Sequence, residues 1–175
     1  MKLQLSGVVA GVFATCFALQ AQSAPSLSSD LKAAYASVKN NLLQSAEKMP
    51  EENYSFKPTP DIRSFAEVMD HVVSAQMHAC GAVVGEQKAA NGEATSKADV
   101  MAALKAAFAE CDKAYDGLTE ANAADVIKTP RGERSRIGVL AGNLVHDTEQ
   151  YGIVSVYLRL KGVIPPSSDA AARRK

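Results

Sequence analysis

Three histidines, two glutamates and one glutamine are the residues of this 175-residue chain whose types and spacing could do chemistry. Glu67, His71, Ser74 and His78 recur at intervals of four, three and four, and His146 is followed four residues on by Gln150, with Asn143 and Glu149 alongside. Residues four apart on a helix project about 40° from one another, so each set forms a polar stripe on one face. Two such stripes facing across a helical bundle could converge on a divalent ion, and neutral imidazoles suit zinc, nickel, iron or copper. His78 lies about 10 Å along the helix beyond His71, too far for both to serve one ion without strain. The bland reading is that the imidazoles are surface or hydrogen-bonded core groups. Two imidazoles and an amide fall short of the three good donors a catalytic zinc takes.

The elements that must position these stripes are legible from periodicity and breakers. A first helix is predicted from about Ser28 to Lys48, with Leu31, Tyr35, Val38, Leu42 and Leu43 on one face, ended by Met49 and Pro50. An irregular link follows to Pro60, in which Tyr54 and Phe56 are expected to plug the end of the core. The second helix starts at Ser64, which forms a capping box with Glu67, and fades near Gly81 or Gly85. Asn91 and Gly92 mark a turn, and Ser96, with Asp99 at the box position, caps a third helix that stops around Gly117. A link containing Pro130 leads to a last helix from about Ser135 to Lys161, stopped by Gly162, Pro165 and Pro166. Nothing in the chain reads as a sheet. The predicted fold is an all-α four-helix bundle over residues 24–165, with 166–175 as a flexible tail.

The N-terminus carries Lys2, an uncharged run from Leu3 to Leu19, and then small residues around Ala24. This is the pattern of an export signal spanning residues 1–23, which places the mature chain in the periplasm or outside the cell. A membrane anchor fits less well, because Gln4, Ser6, Gly7, Gly11 and Gln20 leave the apolar stretch short of the roughly 20 residues a span needs. Lipid attachment at Cys16 is weaker still, given Phe13, Ala14 and Thr15 before it. Without the signal the chain holds 18 basic and 19 acidic residues, a balance that argues against a nucleic-acid partner. The cluster Arg131, Arg134 and Arg136, interrupted by Glu133, and the tail residues Arg173, Arg174 and Lys175 read as surface.

Cys80 and Cys111 remain as an even pair in an oxidising compartment, most economically a disulfide. Their separation suits neither a metal-ligand pair nor a C-x-x-C redox motif. The bond would join the C-terminal parts of the second and third helices and so make them run parallel. That arrangement requires a crossover connection.

The segments Phe65-Ala66-Glu67-Val68-Met69-Asp70-His71, His146-Asp147-Thr148-Glu149-Gln150-Tyr151-Gly152 and Tyr157-Leu158-Arg159-Leu160-Lys161-Gly162, with the link Ser55-Phe56-Lys57-Pro58, together resemble the DinB/YfiT-like metalloenzyme family, and the exported members most. The resemblance implies an up-down-down-up bundle. It also implies a divalent ion (zinc, nickel or iron) held by one histidine of the second helix, matched by His71, and an H-x-x-x-H pair on the fourth, of which His146 matches the first member. Gln150 stands where the third histidine belongs, and a neutral amide oxygen there lowers the expected affinity or abolishes the site. Relatives of this kind are thiol-dependent transferases, isomerases or metal-assisted hydrolases, for which Glu67 or Glu149 would be the candidate base. A non-catalytic protein that holds a small-molecule ligand in the same cavity, or a stress-associated interaction domain, is the competing expectation. An apolar helix face would let two copies pair as a homodimer.

Overall fold

The computed structural model describes residues 25–86, 94–130 and 132–169. The segment expected to direct export, with Cys16, the turn expected at Asn91 and Gly92, Arg131 and the basic residues of the tail lie outside these positions.

Each helix opens on a serine whose side chain accepts a first-turn backbone N–H. Ser26 caps α1 (Leu27–Lys48), Ser64 caps α2 (Phe65–Val84), Ser96 caps α3 (Lys97–Asp116) and Ser135 caps α4 (Arg136–Leu160). The hydroxyl satisfies a donor that the helix itself leaves orphaned. In α2 the box is complete, since the Glu67 carboxylate accepts from the Ser64 backbone N–H. In α3 the Asp99 carboxylate takes the Ser96 hydroxyl instead. Gly85 ends α2 at φ +85° and Gly162 follows α4 at φ +72°, left-handed conformations that glycine adopts without a Cβ penalty.

The directions of the helices follow from what they touch. The Cys80–Cys111 disulfide ties α2 and α3 near their C-terminal ends, so these two run parallel, as the cysteine spacing predicted. Along α1, Ser28, Lys32 and Lys39 meet Glu120, Asp116 and Asp112 in turn, so α1 and α3 are antiparallel. His71 meets His146 while Val83 meets Arg136, which makes α2 and α4 antiparallel as well. The result is an up-down-down-up bundle in which α1 and α2 each pack between α3 and α4. Leu42, Met69, Leu104, Leu140 and Leu158, fully buried and drawn from all four helices, fill its axis. Tyr54 closes one end, its ring edge against Phe65 and its hydroxyl donating to Ala46 O, and Phe56 packs edge-on to Tyr157.

Two expectations need correction. The chain does hold a small sheet: in the link before α4, β1 (Val126–Thr129) and β2 (Gly132–Ser135) pair as an antiparallel hairpin, with Thr129 opposite Gly132 and Val126 opposite Ser135. Four-residue strands with one buried apolar side chain, Ile127, are too short to show a period of two in the sequence. Packed structure also runs past Pro165. Residues Pro166–Ser168 form a 3₁₀ turn with Pro166 buried, and Asp169 pairs with Lys48 at 2.6 Å, because α1 ends beside the chain leaving α4.

Candidate metal centre

His71 on α2 and His146 on α4 project toward each other across the antiparallel pair. Their Nε2 atoms are 3.1 Å apart and their rings meet edge to face at 68°. Two nitrogens bound to one tetrahedral zinc stand about 3.4 Å apart at ordinary bond lengths, so a small opening of the rings would admit the ion. Without an ion, the same gap is spanned by one N–H···N hydrogen bond. Partial burial, reinforced by the Arg63 and His146 charges, pushes the His71 pKa below the ordinary imidazole value. His71 is therefore neutral, with a lone pair available, at neutral pH.

Behind His146 lies a buried polar chain. Asp147 is fully buried, and its Oδ2 accepts from Gln76 Nε2 at 2.8 Å. Its Oδ1 stands 3.5 Å from His146 Nδ1, longer than a hydrogen bond, and neither of these two buried atoms has another partner. A carboxylate facing Nδ1 favours the tautomer protonated there, which leaves Nε2 with its lone pair, an acceptor toward His71 and a ligand for an ion. Gln76 Oε1 accepts from Asn143 Nδ2 at 2.8 Å, and Asn143 Oδ1 accepts from the Tyr115 hydroxyl at 2.9 Å. Burial raises the Asp147 pKa above the usual carboxylate range, with His146 and Gln76 pulling the other way.

The remaining predicted residues are dispersed. Ser74 and His78 line the cavity beside the imidazole pair, with His78 exposed. Gln150 is buried one turn beyond His146 and hydrogen-bonds to neither imidazole. Glu67 is committed to the α2 cap and to Lys57 at 3.2 Å, and the Ser64 N–H and the Lys57 ammonium hold its carboxyl below the usual range. A carboxylate so engaged is a poor base. Glu149 is exposed, and its charge reaches His71, where it favours the protonated form. Among the described residues no cluster of three or more His, Cys, Asp or Glu side chains is placed to hold an ion.

Sequence reasoning missed Asp147, Gln76 and the place of Arg134 beside the site. Asp147 was hidden by the rule that adjacent helical residues diverge. Arg134 is exposed, as expected of a surface charge, and the hairpin sets it at the wall of a cavity of about 670 Å³, bounded by α2, α4 and the β1–β2 turn, with His71 and His146 among its lining residues. A smaller cleft between α1 and α3, of about 480 Å³, is lined by Tyr35, Lys39 and Asp112 and contains neither imidazole.

A helical bundle with parallel middle helices, one histidine from the second and one from the fourth, and a cavity opening beside them defines a DinB-like protein. The chain belongs to the DinB superfamily, whose family model matches residues 34–154. It is similar in fold to a DinB-like protein of Bacillus subtilis, with TM-score 0.62, 22% identity, and 76% of this chain and 92% of that one covered. A DinB-like protein of Bacillus cereus gives TM-score 0.66 at 15% identity, covering 79% and 95%. A conserved protein of Enterococcus faecalis gives 0.60 at 13%, covering 78% and 98%. At such identities the likeness establishes the fold. No curated protein matches the sequence.

Proposed function

We propose that this chain is an exported divalent-metal-binding member of the DinB superfamily, with His71 and His146 as its two protein ligands and the rest of the coordination sphere open to water or to a ligand from the cavity. The observation that carries this reading is the 3.1 Å approach of the two Nε2 atoms at the cavity wall, with Asp147 facing the other nitrogen of His146. A carboxylate behind a ligating imidazole is the usual outer-sphere support of such a site. With two imidazoles and no third strong donor, binding is of modest affinity. The bound ion would supply Lewis acidity at the cavity wall. Export is supported by the signal pattern of residues 1–23 and by a Cys80–Cys111 disulfide, a bond that persists in oxidising compartments.

Calorimetric titration with zinc and nickel tests the site. One ion should bind to the wild type, and His71→Ala or His146→Ala should abolish the heat. Gln150→His should tighten binding at least about tenfold by adding a third imidazole. A wild type that gives no heat ends the metal reading. N-terminal sequencing of protein recovered from its native compartment tests export, with a mature start at or within two residues of Ala24 expected. An intact Met1 would refute it.

A further inference from the structure

We infer that the cavity beside the imidazole pair binds a small organic carboxylate, with the Arg134 guanidinium as its anion clamp. The inference rests on the proposed function only in sharing its cavity. Arg134 leaves β2 and lies across the first two turns of α4, where its Nη2 donates to Gly138 O at 2.6 Å. It occupies a strip from which side chains are missing. A Cβ added at Gly142 would stand 3.1 Å from Arg134 Nη1, tighter than ordinary van der Waals contact, and 3.4 Å from Nη2. Gly138 lies one turn before Gly142 on α4, so the two glycines form a bed for the planar guanidinium.

One hydrogen bond to Gly138 uses one of the five N–H donors that a guanidinium presents, and the remaining edge is available for the bidentate pairing that carboxylates favour. Arg134 brings the cavity wall a fixed positive charge, and no Asp or Glu is among the lining residues. At Arg134 the wall therefore offers an anion a positive partner, while the Asp147 and Glu149 charges act on the imidazole side. Ala75, Ala79, Ala82, Pro130 and Val139 give the wall an apolar stretch beside the polar Ser74, His78, Thr129 and Asn143, and that stretch suits a hydrocarbon body. His146 follows Gly142 by four residues, about 6 Å along α4, so an acid held at Arg134 reaches the imidazole pair with a group some four or five carbons from its carboxyl.

The test is a nuclear magnetic resonance titration of chelator-treated full-length protein with hexanoate and, separately, with hexanamide, which matches it in shape and lacks the charge. Removing metal ensures that a carboxylate preference reports on Arg134 and not on an ion, so the outcome is independent of the zinc titration. Hexanoate should bind at least about tenfold more tightly than hexanamide, with shifts centred on residues of α2 and α4 that line the cavity. Arg134→Gln should bring the two ligands to equal affinity, and Gly142→Ala, which displaces the guanidinium, should narrow the gap while thermal unfolding shows the fold intact. Equal affinities in the wild type, no binding of either probe at millimolar concentration, or an undiminished preference in Arg134→Gln would overturn the inference.

Discussion

At the scale of single residues, the two imidazoles were legible because a histidine at a helical spacing announces itself by type. Their partner was not. Asp147 follows His146 directly, and neighbours on a helix point about 100° apart, so nothing in the sequence suggested that Oδ1 would face Nδ1. Gln76 was equally silent, since a glutamine on an apolar helix face reads as surface until Asp147 and Asn143 are seen to take its amide. Asp147→Asn separates the structural and positioning roles of this carboxylate. The asparagine can keep the Gln76 hydrogen bond but would turn an N–H toward His146 Nδ1, favouring the tautomer with its proton on Nε2. Zinc affinity should then fall about 10- to 100-fold in calorimetry. Stability of the metal-free protein at neutral pH should not fall, because the buried charge is removed. The folded-state pKa of Asp147 is raised, so wild-type stability should increase as pH drops through that value toward the ordinary 3.8. The variant should lack that rise in chemical denaturation.

At the scale of elements, the serine caps and glycine stops made the helices readable to within a residue or two. The hairpin stayed hidden because pairing between strands, not any local pattern, creates it. Its effect is to carry Arg134 over α4, and the bare backbone at Gly142 is understandable only once that side chain is in place. The disulfide was readable from cysteine count and the expected compartment, and it set the relative direction of α2 and α3 before any contact was known. Closing a loop between residues 31 apart restricts the unfolded chain by about 3 to 4 kcal/mol. The double substitution Cys80→Ala with Cys111→Ala should therefore lower the melting temperature by roughly 10 °C in a domain of this size. Both sulfurs are buried against Gln76, so mild reductant should leave the folded protein unchanged over minutes. A melting temperature that does not move in the double variant would show that the staple adds nothing to the fold.

At the scale of the whole molecule, bundle topology followed from two cysteines and four helical stretches, whereas the cavity did not, because one wall comes from α2 and the other from α4 and the turn that precedes it, far from α2 in sequence. The site thus joins two antiparallel helices, α2 and α4, that do not follow one another in the chain, and any ion there links their separation to global stability. Zinc at a hundredfold excess over its dissociation constant should stabilise the folded state by about 2.7 kcal/mol, or roughly 5 to 10 °C in melting temperature. That increment has a definite pH dependence. The folded-state pKa of His71 lies below the ordinary 6.5, so protonation favours the unfolded chain, and the metal-free protein should lose a small amount of stability as pH falls below about 6.5 toward the folded value. Protons also compete with zinc for the ligating imidazoles, and the lowered His71 value delays that competition at His71. The zinc-dependent increment should therefore shrink as pH falls. Melting curves with and without zinc across this range check both slopes, and an increment that survives undiminished in His71→Ala would mean that His71 is not a ligand.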